Sequence, residues 1–332
     1  MDICDCYIEN FGKFIVHEIE KLIDIGDMNK LDLLNNTSGY RTRYFNELSG
    51  TDTLIKKSTC VYGDQIMRDE MRFYKYYKHY CLPNIIHYGK NFYEMEKING
   101  ITAHEHNKTL SYNEQLVYIQ DILIFLSKFH SLEQVSISKN QMYSDINIEF
   151  YKKVNCRLDN VLPILEEFNF IKTINSVPII YSIKHIKDDL YNKIQDYFMN
   201  KPFEYQSIHG DPHMSNIMKS TYKMYLIDPR GYFGNTKLFG PSEYDLGKIM
   251  YSLSGFDYFN SNEKLTFYIE GCNIMLDINN NIDPFLHLFK DSKLLIYMTI
   301  LHWLGLSDYT RLNIHKCVSA FYYGIYLYHV YI

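Results

Sequence analysis

Several features that would place this 332-residue chain in a special class are missing from its sequence. It has no Cys-x-x-Cys pair, and its seven cysteines (Cys4, Cys6, Cys60, Cys81, Cys156, Cys272 and Cys317) are odd in number and irregularly spaced. Neither a zinc site nor a disulfide framework is expected from such a set. The excess of acidic over basic residues gives a net charge of only −5. That implies no strongly basic face, so nucleic acid is not an expected partner. The start, Met-Asp-Ile-Cys-Asp, lacks the basic opening and apolar run of a signal peptide. The longest apolar stretch, 294–306, is too short for a membrane span and is interrupted by His302. A cytoplasmic protein with no membrane partner is the expectation. No internal repeat or low-complexity linker occurs, and the 32 tyrosines are spread along the chain instead of forming one stacking platform.

What is present is a change of pattern along the chain. Residues 10–23 read as an amphipathic helix in an N-terminal extension spanning 1–31. Short strand-like runs follow, at 54–55, 85–88 and 92–95, with one helix over 64–80. Beyond Gly100 the pattern turns helical, beginning with 111–130, and one hairpin interrupts it, 216–218 paired with 224–227 across a polar turn. A small β-rich lobe over 32–98 and a larger helical lobe over 99–332 make an α+β, two-lobed arrangement.

The residues with chemistry flank that hairpin. Before it stand His209-Gly210-Asp211-Pro212-His213-Met214-Ser215-Asn216, and after it Ile227-Asp228-Pro229-Arg230-Gly231. An Asp, an Asn after four intervening residues, then a second Asp followed by Gly has the syntax of the protein-kinase catalytic loop and metal-binding turn, with the glycine one residue later. Phosphoryl transfer needs a carboxylate to orient and deprotonate the attacking hydroxyl, and oxygen ligands for Mg²⁺. Asp211 suits the first task; Asn216 and Asp228 suit the second. Any one of these residues alone reads more simply as a turn residue. The ordered set points to phosphoryl transfer.

With those residues in view, the segment resembles the HGD-x-H-x-x-N and I-D signature of the aminoglycoside phosphotransferase and choline kinase superfamily. Leu126-Ser127-Lys128-Phe129-His130-Ser131-Leu132 resembles its L-x-x-L-H-S-L segment, with Phe129 for the second Leu. Glu243-Tyr244-Asp245-Leu246-Gly247 resembles its Y-D-L-A segment, with Gly for Ala. The resemblance covers about 32–255 in pattern and is strongest from His209 to Gly231. It implies a protein-kinase-like two-lobed fold, Asp211 as the catalytic Asp, and Asn216 and Asp228 as magnesium ligands. It further implies use of ATP with Mg²⁺, and a kinase acting on a hydroxyl group.

The nucleotide side needs a strand Lys paired with a helix Glu. Thr53-Leu54-Ile55-Lys56-Lys57 offers two lysines on opposite faces of one strand. Lys56 has the spacing of the V-A-I-K strand and is preferred, with Lys57 kept open. Glu70 shares a helical face with Ile66, Phe73 and Tyr77, where a buried carboxylate requires a cation, and Lys56 would supply it. Residues 36–42 stand where a phosphate loop belongs but hold a single glycine; Ser38, Gly39 and Thr42 are its candidates, beside the reading of a plain turn. Glu96 and Ile98 resemble the family's hinge, where adenine bonds to backbone, so the side chains there do not tell ATP from GTP.

Four further residues have two readings each. His209 reads as a brace of the catalytic loop. His213 reads either as a substrate or phosphate contact or as a packed histidine. Arg230 puts a cation beside the metal residues, facing either an anionic group or a structural carboxylate. Asp245, three residues after Ser242, fits a capping box, and by resemblance it also fixes the catalytic loop. Only about ten residues separate Gly231 from the helix near Ser242, too few for the activation segment on which a protein kinase seats a peptide. A small alcohol is therefore the expected acceptor. A sugar or sugar derivative is favoured, because D-P-R-G resembles kinase-like proteins of bacterial surface-polysaccharide pathways; an amino alcohol or aminoglycoside stays open. Trp303, Tyr297 and Tyr309 read as core or as an aromatic wall. A nucleotide-binding pseudokinase-like regulator would be expected to lack at least one of Lys56, Asp211, Asn216 and Asp228, and all four are present.

Overall fold

The computed structural model describes residues 41–42, 46–78, 81–261, 266–277 and 282–332. The expected extension over 1–31, and with it Ser38 and Gly39, lie outside these residues. Five antiparallel strands form the small lobe: β1 Arg41–Thr42, β2 Asn46–Ser49, β3 Thr53–Ser58, β4 Ile85–Tyr88 and β5 Phe92–Glu96, in the order β1-β2-β3-β5-β4. Thr42 stands in a strand opposite Glu47, not in a loop ahead of it. Alternation along β3 buries Lys56 and Ser58 and leaves Lys57 exposed.

Helix α1, Val61–Tyr76, packs on this sheet through Met67, Met71, Phe73 and Tyr74. It starts earlier and stops earlier than the spacing of apolar residues suggests. The Cys60 sulfur accepts the Gly63 N–H and fixes the start, while a bond from Tyr77 N to Phe73 O closes the last turn. α2, Tyr112–His130, opens on Ser111, whose N–H and hydroxyl both donate to Glu114.

The large lobe continues with α3 Lys139–Ile146, a π-helical stretch Asn147–Lys152, α4 Lys153–Leu165, α5 Ile183–Met199 and α6 Ser242–Leu253. Last come α7 Ser292–Tyr309 and α8 Ile314–Tyr331, an antiparallel pair packed along its length. α7 is buried on nearly all sides because α4, α5, α6 and α8 surround it, which explains an apolar run without amphipathic period. The helical half holds more sheet than the sequence pattern indicates. Besides the expected hairpin, strands Phe267–Glu270 and Asn273–Leu276 pair with each other, and the latter runs parallel to Thr173–Ile174. A further small sheet brings Glu204–Ser207 between Gln134–Ser136 and Phe239–Gly240, directly ahead of the catalytic loop. These strands have two to four residues, too short for alternation to register in sequence.

Candidate active site

The hairpin decides the geometry. Ile217–Lys219 pairs with Met224–Leu226, and one residue beyond the ladder Ile227 N donates to Asn216 O at 3.0 Å. The loop before the hairpin and the turn after it are thereby held side by side. Two more bonds stitch them: His209 Nε2 donates to Ile227 O at 2.9 Å, and Gly231 N donates to His209 O at 2.9 Å. Burial lowers the His209 pKa, which suits a neutral ring that donates from Nε2 and accepts the Asp211 N–H at Nδ1. The brace expected of His209 is what the structure shows.

Two glycines permit this close approach. Gly210 has φ +85° and Gly231 φ +64°. A Cβ on Gly210 would stand 3.1 Å from the Arg230 Cβ, and one on Gly231 would stand 3.2 Å from the Phe73 Cβ. Asp228 is itself left-handed, at φ +54°, a backbone state that costs a non-glycine residue about 1 kcal/mol or more and gathers at functional sites.

Asp245 does not cap α6. Pro241 occupies the cap position and no side-chain cap bond forms there. Its fully buried carboxylate instead accepts N–H bonds from His209 and Gly210, both at 2.8 Å, and meets His130 Nε2 at 3.0 Å. The local Ser-x-x-Asp pattern yields to the loop's need for an acceptor. Asp145 does the same for the chain after Gly231. It accepts from Asn235 N, the Thr236 hydroxyl and Tyr205 OH, and so ties that short segment to α3.

The two lysines stand in different surroundings. Lys56 is buried, and its ammonium donates to both Glu70 oxygens at 2.8 Å and reaches Asp228 at 3.0 Å. Burial opposes its charge, but Asp228 and Glu70 outweigh it and raise the pKa. On the partner, burial pushes the Glu70 carboxyl up while Lys56 pulls it down. With Tyr93 OH donating as well, we take the pair as ionised. Lys57, its side chain 52% exposed, reaches Glu47 at 3.7 Å, its one ionic contact among the described residues. Lys56→Met should abolish most Mg·ATP affinity, a loss of about tenfold or more read by calorimetry. Lys57→Ala should shift unfolding by less than about 0.5 kcal/mol and leave that affinity unchanged. Equal losses in the two variants would reject the assignment.

Lys56, Glu70, Asp211, Asn216, Asp228, His213 and Arg230 line one cleft of about 450 Å³ between the lobes. Asn216 Nδ2 donates to the Asp211 carbonyl at 3.0 Å, which fixes the orientation of the amide and leaves its oxygen, the acceptor end, for another partner. One carboxylate and one amide oxygen are hard donors that suit Mg²⁺, an ion that keeps phosphate and water for its other positions. Among the described residues no group of three or more His, Cys, Asp or Glu could hold a metal by itself. The donor set therefore fits a magnesium ion shared with a nucleotide.

Lys248 joins the site without having been among the candidates drawn from the sequence. From α6 its ammonium stands 3.0 Å from Asp211. Burial alone would push the Asp211 carboxyl up; Lys248, then His213 and Arg230, override that and hold it well below the ordinary range. Tyr244, Lys248 and Tyr251 follow at i, i+4 and i+7, so one helical face was there to be read. His213 is packed against Asp257 at 3.1 Å, and Asp257 also accepts the Ser215 N–H and hydroxyl, which holds its pKa at about 2. Arg230 binds Glu149 and the Tyr244 hydroxyl, so the structural-carboxylate reading holds, while its side chain still lines the cleft. Trp303 is fully buried and donates to the Ser254 hydroxyl, and Tyr297 is core; of the three aromatics only Tyr309 reaches the cleft. Glu96 ends β5, its N–H bonded to Asn84 O, and Ile98 follows in the segment joining the lobes.

No protein-family model matches the chain, and no curated protein does. Solved structures similar to it include an ADP-bound aminoglycoside phosphotransferase, APH(2'')-Ib, at 14% identity and TM-score 0.48, covering 91% of this chain and 99% of that one. An ethanolamine kinase from Plasmodium vivax is similar at 12% identity and TM-score 0.48, over 87% and 80% of the two chains. A choline/ethanolamine kinase family protein from Mesorhizobium loti is similar at 10% identity and TM-score 0.46, over 90% and 95%. Likenesses of this size decide nothing about activity. The geometry of the cleft has to.

Proposed function

We propose that the protein is a kinase that moves a phosphoryl group from Mg·ATP to a hydroxyl of a small molecule, with a sugar-derived acceptor favoured. One observation carries this reading: a buried lysine bound at once to Glu70 and Asp228, in the same cleft as the Asp211 carboxylate and as Asn216, whose amide is bonded to the Asp211 backbone carbonyl. In this reading the Asp211 carboxylate accepts the acceptor's hydroxyl proton as the new P–O bond forms. Its lowered pKa makes it a weak base, enough where bond formation to the nucleophile is slight and the proton leaves late. Lys56 positions the nucleotide phosphates, with Glu70 and Tyr93 fixing its direction. Asn216 and Asp228 would hold Mg²⁺, which when bound neutralises charge on the phosphate oxygens. The short, Asp145-anchored segment after Gly231 offers no peptide platform, which favours a small acceptor over a protein.

The test is ADP release by the purified chain with Mg·ATP against sugars, sugar acids, sugar phosphates, amino alcohols and aminoglycosides. At least one class is expected to stimulate release above the ATP-only rate, and Mg·ATP is expected to bind by calorimetry. If Mg·ATP does not bind, the kinase reading fails.

A further inference from the structure

Opposite the Lys56 pair, the cleft is lined by cations. Lys153 and Arg157 enter it from α4, Arg230 from the turn after Asp228, and Lys248 from α6. They stand close enough to feel one another: burial first, then Arg230, Arg157 and Lys248, push the Lys153 ammonium well down, against the pull of Glu149. Two carboxylates answer these four cations. Glu149 binds both Lys153 and Arg230, and Asp211 binds Lys248. Arg157 has no carboxylate partner among the described residues. Its guanidinium lies 4.4 Å over the Tyr309 ring and donates to the Tyr309 hydroxyl at 2.7 Å.

Even with the Lys153 charge disfavoured, Arg157, Arg230 and Lys248 outnumber Glu149 and Asp211 by one, and a positive surplus on a partly buried wall, in a chain of net charge −5, costs stability unless an anion offsets it. In the kinase reading Lys56, Asn216 and Asp228 serve the nucleotide, which leaves Lys153 and Arg157, both on α4, without an assigned anion. Around the four cations stand Tyr62, Tyr232, Tyr251 and Tyr309, rings and hydroxyls suited to a polar ring-shaped molecule. A cationic acceptor would add to the repulsion.

We propose that the acceptor alcohol carries its own acidic group, a phosphate or a carboxylate, and that Arg157 and Lys153 bind that group while Asp211 faces the reacting hydroxyl. This deepens the kinase reading and rests on it for the role of Asp211. Arg157 is suited to the task because its planar fork matches two oxygens of a carboxylate or phosphate.

The test is calorimetry on the full chain with Mg·ADP at fixed ionic strength, titrating glucose 6-phosphate, glucuronate, glucose and glucosamine. At least one of the two acids is expected to bind about tenfold or more tightly than glucose, with glucosamine weakest. Arg157→Gln is expected to reduce that preference to about threefold or less. Should glucose or glucosamine match the acids, or should Arg157→Gln keep the full preference, the proposal is overturned. Mg·ATP binding to the wild-type chain is measured alongside. An acid preference without Mg·ATP binding supports the anion site and rejects the kinase. Mg·ATP binding with no acid preference rejects the anion site and leaves the kinase standing.

Discussion

Exchange of Asp211 for Asn is expected to lower acceptor-stimulated turnover by about 10²- to 10⁴-fold, the range for losing a positioned proton acceptor. The substitution keeps the side-chain shape and the Asp211 carbonyl, so Asn216 retains its hydrogen bond. It removes the charge that faces Lys248 at 3.0 Å and the lone pairs that would receive the hydroxyl proton. Mg·ATP affinity, which the proposed function assigns to Lys56, Asn216 and Asp228, should stay within about threefold. Single-turnover kinetics beside calorimetry separate the two effects. Turnover within tenfold of the parent protein would remove Asp211 from the chemistry.

Asp245→Ala should produce the largest loss of stability of any single change near the cleft. The carboxylate is fully buried and serves three donors: two backbone N–H groups at 2.8 Å and His130 at 3.0 Å. Truncation strands both amides where water does not reach, at a cost on the order of 3–5 kcal/mol. For a chain of this length that corresponds to a fall in Tm of about 4–7 °C. Thermal unfolding followed by circular dichroism measures it. A fall of only a degree or two would mean that the loop from His209 to Asp211 does not depend on Asp245.

How much of this was legible in the sequence follows from distance along the chain. Asp211, Asn216 and Asp228 lie within one loop and one hairpin, so their spacing alone foretells their meeting. Lys56 and Glu70 were legible because strand alternation and a helical stripe fix which faces they share. The cations that line the cleft beside Asp211 come from α4, α6 and the turn at Arg230, and no local rule links Lys153 and Arg157 to Lys248. Asp245 shows the opposite failure: Ser242-x-x-Asp245 is a true cap pattern locally, overridden by two buried amides that only the fold supplies. The aromatics near 303 were ambiguous for a similar reason. α7 is enclosed on nearly all sides, so its rings lack an amphipathic signature, and of Tyr297, Trp303 and Tyr309 only Tyr309, at its open end, looks into the cleft, where His302 joins it.

The π-helical stretch Asn147–Lys152 runs without a break between α3 and α4. It carries Glu149, and the α-helical turns that follow carry Lys153 and Arg157, each four residues on. A wide turn of this kind differs from an ordinary one by a single residue, and one residue of α-helix is a rotation of about 100°. Shortening 147–152 by one residue would thus swing the carboxylate that neutralises Arg230 away from its partners, with Lys56, Asp211 and Asp228 left in place. In the proposed reading, the length of one helical turn thereby sets how the anion-facing wall at Lys153 and Arg157 is neutralised, without touching the residues assigned to the phosphates.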